Sequence, residues 1–323
     1  LNAYTRKLIS LSMLLVTSCV LALGVTARSS AQDSDSVVTA AVSPIETLGT
    51  IFYAADKGFL KAAGLDVKFV TLNSPGAIAA GVASGAVTIG TAPVSAIAGA
   101  RAKHIPLIMI APSGLYLNTT PTTGIIVSAA SPIRAAADLN GKTVAIKELS
   151  NIGFFSTKLW IDKNGGDSSS IHWIEISDAE DLAALRAGRI DAAVMGEPIL
   201  DNTLSDTQFR ALAFPFDAIA HRFLIGGYVT TEAYAQAHPD IVRKFAAAIA
   251  RSAVWANAHH AESAQILAKY LQAPVLSGAT RTPYADYLRA SDVAPVLDLL
   301  LRYHAIASPM SPKELFSNLV PTK

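Results

Sequence analysis

Side chains able to do chemistry are spread along this chain and never gather into a recognisable reaction motif. It has no G-x-S-x-G elbow, H-E-x-x-H pair, Walker loop or G-x-G-x-x-G turn after its first strand. Its seven histidines are dispersed apart from His259-His260. Neighbours on a helix point about 100° apart, so that pair reads as solvated surface and not as a chelate. What remains is a series of polar residues just beyond strand ends: Ser43 to Thr47, Asn73 to Gly76, Thr91 to Ser95, Asn151 to Gly153, and Gly196 to Pro198. In open α/β sheets ligands gather there, because helix N-termini present free N–H groups. The chemistry implied is recognition of a small molecule.

The candidate ligand contacts are Glu46, Thr47, Tyr53, Ser74, Thr91, Ser95, Asn151 and Glu197. Each also has a plainer role. Ser74 and Asn151 are good helix caps, and Thr91 and Ser95 can cap the helix that follows them. Glu46 suits the first turn of a helix, where an acid favours the dipole. Tyr53 and Phe52 can stack on a flat ligand, although Phe52 reads better as core. Two carboxylates near a cleft would suit amines or ring N–H donors, whereas helix N-termini and hydroxyls would suit anions. No arginine stands at these strand ends; Arg101, Arg134 and Arg222 are the possible clamps.

The elements that must position these residues read as short apolar strands alternating with helices, an α/β class with mainly parallel strands. Val37 to Val42 is the first strand, followed by a helix over about 47–62 with Leu48, Ile51, Phe52, Ala55 and Phe59 on one face and Gly64 at its end. Val67 to Leu72 and Val87 to Ile89 are strands, with Ser74-Pro75 opening the helix between them. The same grammar restarts at Gly124, with strands at Thr143 to Lys147, His172 to Ile176 and Ile190 to Val194 and a capping box at Ser177 and Glu180. Ser74 to Ile89 matches Ser177 to Ala192 at an offset of 103 residues, which implies a repeated lobe plan. The tail is helical over Pro239 to His259, Ala261 to Leu271 and Tyr284 to Tyr303.

Composition bounds the partners. The chain has 323 residues, is 51% hydrophobic and only 16% charged, and carries 26 basic against 25 acidic residues. No basic stripe appears, so nucleic acid and membrane surfaces are poor partners. Residues 1–31 read as a cleavable export signal: Arg6 and Lys7, the apolar run Leu8 to Val25, then small residues before Gln32. A membrane anchor is the alternative reading of that run. Cys19 is the only cysteine, and Val16-Thr17-Ser18-Cys19 fits a lipoprotein site loosely, since the apolar run continues past it. After cleavage no thiol chemistry is left.

Several segments together resemble one family. Tyr53-Ala54-Ala55-Asp56-Lys57-Gly58-Phe59-Leu60 with Gly64-Leu65-Asp66-Val67, Ala83-Ser84-Gly85-x-Val87-x-Ile89-Gly90, Ser131-Pro132-Ile133 with Asp138-Leu139-x-Gly141-Lys142, and Ala187-Gly188-Arg189-Ile190-Asp191-Ala192 before Glu197-Pro198 are similar to motifs of nitrate/sulfonate/taurine-type and thiamine-precursor-type periplasmic binding proteins of ABC importers. The resemblance implies a two-lobed, type 2 periplasmic-binding-protein fold with two crossing segments near 112–124 and 221–229. Lobe I would comprise 37–115 and 226–315, and lobe II 121–222. It implies a non-enzymatic, monomeric, periplasmic protein without cofactor or metal. Such a protein closes on a sulfonate-, nitrate-, taurine- or pyrimidine-like solute and docks on permease and ATPase subunits at the inner membrane. Glu197 falls on the family's E-P position. Rival readings are a ligand-sensing receptor subunit, or an enzyme on the same scaffold acting on a small aromatic or pyrimidine substrate. The cysteine-dependent members of that enzyme group are disfavoured by a mature chain without cysteine.

Overall fold

The computed structural model describes residues 37–72, 74–197, 199–272, 275 and 280–323; residues 1–31, read above as an export signal, with Cys19 among them, and Asn73 and Pro198 lie outside the described residues. The strands are β1 (Val37–Val42), β2 (Asp66–Thr71), β3 (Ile89–Pro93), β4 (Leu107–Pro112), β5 (Leu115–Leu117), β6 (Thr123–Ser128), β7 (Thr143–Ile146), β8 (His172–Glu175), β9 (Ala192–Gly196), β10 (Phe209–Ala213), β11 (Arg222–Leu224) and β12 (Gly226–Thr231). They form two five-stranded sheets, ordered β2-β1-β3-β12-β4 and β10-β6-β9-β7-β8, and a two-stranded ribbon, β11-β5. Residues 38–323 make up one compact unit.

The sheets are mixed, which corrects the mainly parallel expectation. β12 runs antiparallel to β3 and β4, and β6 runs antiparallel to β9 and β10. Both strands enter their sheets straight after the ribbon strands β5 and β11. No crossover helix precedes either one, so neither is constrained to run parallel. β5 and β11 pair antiparallel, Leu115 with Leu224 and Leu117 with Arg222, and carry the chain between the sheets.

Strands with continuous apolar runs are buried on both faces: β6 but for its last residue, and β4 throughout although it is an edge strand. The edge strands β2 and β8 have no fully buried residue. The other edge, β4, is covered by the C-terminal segment, where Ser317 N–H donates to Met109 O at 2.9 Å. Helix Pro239–Ala258 packs Val242, Phe245, Ile249 and Ala253 inward at helical spacing.

The 103-residue correspondence holds element for element. Helix Pro75–Ala83 matches Asp178–Arg186, and β3 matches β9 residue for residue. Gly85 and Gly188, equally matched, both take left-handed φ, 76° and 64°, as helix stops.

Three local expectations change. The single helix over 47–62 is a 3₁₀ turn (Glu46–Leu48) and two helices, Thr50–Asp56 and Phe59–Ala62; Gly58, at φ 71°, breaks the run. The third strand begins at Ile89, two residues later than its apolar start at Val87 suggested, so Thr91 lies inside it and not at its end. The tail helix begins at Ala290, because Tyr284 bridges to Gly114 in extended form.

Candidate functional site

The turns after β1, β3, β7 and β9 converge on one cleft of about 470 Å³ between the two five-stranded sheets. Pro93 and Gly196, the last residues of the matched strands β3 and β9, both line it. That volume suits a small organic molecule. Ile45, Leu48, Ile146, Ile152, Phe216 and Ile225 give it largely apolar walls.

Of the eight candidate contacts, Glu46, Thr47, Asn151 and Glu197 line this cleft. Ser74 is an exposed helix cap whose hydroxyl accepts Ala77 N–H at 3.4 Å. Thr91 is buried in β3, its Oγ1 accepting Ser43 N–H at 3.1 Å. Ser95 stands one residue into helix Val94–Ala102, away from the cleft lining. Tyr53 is fully buried behind the wall, so its ring has no face to offer a solute. Those four placements follow from capping, strand registry and core packing. Asn151 lines the cleft and caps as well, its Oδ1 accepting Phe154 N–H at 2.9 Å. Phe52 is core, stacked on Tyr270 with centroids 4.4 Å apart.

The first-sheet wall is held rigid from behind. Tyr228 Oη donates to Leu48 O at 2.9 Å, accepts Ile51 N–H at 2.9 Å and lies 2.8 Å from Thr50 Oγ1, all buried. Gly114 N–H donates to Thr47 O at 2.8 Å. A Cβ on Gly114 would lie 2.6 Å from that same oxygen, so the approach requires glycine.

Glu46 is not a free acid. Arg281 Nε donates to its Oε1 at 2.5 Å and Thr282 N–H at 3.2 Å, while Tyr284 Oη donates to Glu46 O at 2.8 Å. Arg281 also reaches Tyr53 Oη at 3.2 Å and His260 O at 2.8 Å. Burial pushes the Tyr53 phenol up to about 12. The arginines considered as clamps are engaged elsewhere: Arg101 with Glu232, Arg134 with the carbonyls of Ser131 and Ile133, and Arg222 with both oxygens of Asp292 at 2.9 Å.

Glu197 opens the turn after β9. Its N–H donates to Thr122 O at 3.0 Å, and its Oε2 accepts Asp201 N–H at 3.2 Å. Its Oε1 is buried with no hydrogen-bond partner. Burial first, then the Asp201 carboxylate, with a smaller contribution from Glu46, pushes this carboxyl up to about 8.

Thr122, Lys147, Arg281, Thr282 and Asp201 were missed. Lys147 ends a strand recognised in the sequence, so counting strand ends could have found it. Arg281 and Thr282 follow an aperiodic stretch and carry no such signal. Among the described residues no group of three or more His, Cys, Asp or Glu could hold a metal ion, and no helix is long and apolar enough to cross a membrane.

Solved structures share this architecture. The aliphatic sulphonate-binding protein SsuA of Escherichia coli matches with a TM-score of 0.72 at 16% identity, over 89% of this chain and 94% of that one. A Candida albicans gene product described as having the generic periplasmic binding protein fold matches at 0.68 and 13%, over 89% and 96%. The desulfurization enzyme DszB with biphenyl-2-sulfinic acid matches at 0.64 and 14%, over 87% and 96%. These likenesses define the class: a two-lobed periplasmic-binding-protein fold, which hosts both binding and catalysis. The NMT1/THI5-like family model matches residues 47–263, and the chain belongs to that family. A comparison with curated proteins gives no significant match.

Proposed function

We propose that this protein is an extracytoplasmic solute-binding protein that closes its two lobes on a small molecule and delivers it to an ABC-type importer. The observation that carries this reading is the cleft itself. Equivalent turns of two sheets related by the 103-residue repeat face each other across about 470 Å³, and the two crossing strands β5 and β11 join the sheets. That arrangement suits capture by closure better than chemistry on a fixed surface. The names of similar structures, SsuA above all, support the same role.

In this reading residues 37–115 and 226–315 form one lobe and 121–222 the other. Residues 1–31 export the chain to the periplasm, where it acts as a monomer and docks on permease and ATPase subunits. The enzyme reading draws support from the DszB likeness. Against it stands a chain whose only cysteine is Cys19, inside the export segment.

X-ray scattering tests the proposal. After unfolding and refolding to strip any retained solute, the radius of gyration should fall when a ligand found by thermal shift is added at saturation. An unchanged radius with bound ligand would count against closure, and turnover of that ligand would count against a binding role.

A further inference from the structure

Three polar atoms on the cleft wall have no partner: Glu197 Oε1, Thr122 Oγ1 and Thr282 Oγ1. Thr122 and Thr282 are each only 3% exposed, so water does not serve them freely. Buried polar groups are nearly always hydrogen-bonded, and an orphan costs stability. Three such atoms on one cleft therefore stand out. Glu197 N–H donates to Thr122 O at 3.0 Å, and Asp201, whose N–H donates to Glu197, accepts the N–H of Thr280, two residues before Thr282. Thr282 N–H donates at 3.2 Å to the Glu46 carboxylate, whose charge also acts on Glu197. The polar end of the cleft thus draws on the turn after β9, the residue before β6 and the segment bracing Glu46.

The surroundings decide the chemistry. Glu46, Glu197 and Asp201 put three carboxyl groups around this end. Arg281 is spent on Glu46, and Lys147 on the same cleft is not free either. A sulfonate, nitrate or carboxylate placed here would meet acceptor oxygens and the Asp201 carboxylate without an uncommitted arginine to offset them. A group with N–H donors would satisfy a carboxyl oxygen and two hydroxyls at once. Ile45, Leu48, Ile152, Phe216 and Ile225 would cover the rest of such a molecule.

We propose that Glu197, Thr122 and Thr282 form a hydrogen-bonding subsite for an N–H-bearing group, an amide or amine, at the polar end of a mainly apolar solute, with the acidic surroundings disfavouring anions. This rests on the solute-binding reading and narrows its ligand.

Four probes of equal ring size test it by thermal shift and calorimetry: benzamide, benzylamine, benzoate and benzenesulfonate. Benzamide and benzylamine should bind the wild-type protein at least about tenfold more tightly than the two anions. Glu197→Gln should shrink that preference several-fold, and Thr122→Val with Thr282→Val should weaken benzamide by about tenfold while leaving the protein folded by circular dichroism. Stronger binding of benzoate or benzenesulfonate would overturn the inference and leave the solute-binding reading intact. So would a preference unchanged in Glu197→Gln. Binding of none of the four would also overturn it; the scattering experiment on a ligand from a wider panel then judges the binding role separately.

Discussion

Asp201 Oδ2 accepts the backbone N–H of Thr280 at 2.7 Å, tying the turn after β9 to the segment that carries Arg281 and Thr282. Asp201 also donates its own N–H to Glu197. One aspartate therefore connects the second sheet's cleft turn with the bracing of the first sheet's wall. A charged acceptor of this kind contributes about 1.5–3 kcal/mol. Asp201→Ala should raise amide exchange at Thr280 by about tenfold or more, whereas Asp201→Asn, which keeps a carbonyl acceptor, should restore most of the protection. Equal exchange in all three proteins would show that the contact does not hold the segment.

Glu197 should make stability depend on pH. Its carboxyl is raised from 4.5 to about 8 by burial, with Asp201 and Glu46 adding to the rise, so the folded chain holds this proton more tightly than the unfolded chain. Below 4.5 both states are protonated and the group is without effect. As pH rises from 4.5 to about 8 the unfolded chain ionises first, and stability falls; above about 8 the loss is complete. Urea unfolding across that range should follow this slope in the wild type and flatten in Glu197→Gln. Parallel curves for the two proteins would refute the assignment.

The Glu46–Arg281 pair is buried, with side chains 3% and 8% exposed. Removing one partner of such a pair costs about 3–5 kcal/mol, because the other charge stays buried and unpaired. Glu46→Gln should therefore lower the melting temperature by several degrees. Pairing it with Arg281→Met should cost less than the sum of the single changes. Strict additivity in the double-mutant cycle would mean that the two side chains do not interact.

Tyr228 bears on the wall and not on the solute. Tyr228→Phe keeps the ring and removes the hydroxyl that serves Leu48 O and Ile51 N–H, at a cost of about 1–3 kcal/mol. Unfolding curves should register that loss. Solute affinity should also fall, because the Glu46–Leu48 turn loses its brace. Unchanged stability would place the wall's rigidity elsewhere.

The repeat was legible because it is written in local chemistry. Ser74-Pro75, Ser177 with Glu180, and the glycine stops at 85 and 188 are signals that need no tertiary context. The Glu197 turn was legible too, as the end of an apolar strand followed by the E-P pair. Thr91 was misplaced because Val87 and Thr88 look as strand-like as the residues that pair; only registry against β1 and β12 sets the boundary. The burial of Tyr53 was not legible, because an aromatic on a helix face has the same spacing whether it meets ligand or core. Arg281 was invisible for a different reason: it lies 235 residues from Glu46, and sequence periodicity does not reach so far.

The ribbon of β5 and β11 has a mechanical consequence. Two three-residue strands side by side, with Tyr116 stacked on Phe223 at 5.0 Å and Arg222 pinned to Asp292, form a short, stiff strap. A strap of two tethers resists twisting and stretching far more than bending. In the closure proposed above, relative motion of the sheets would be confined to nearly a single axis, and the cleft lips would travel further than atoms near it. That closure would work as a lever, converting small torsions at residues 115–117 and 222–224 into movement at Glu46 and Glu197.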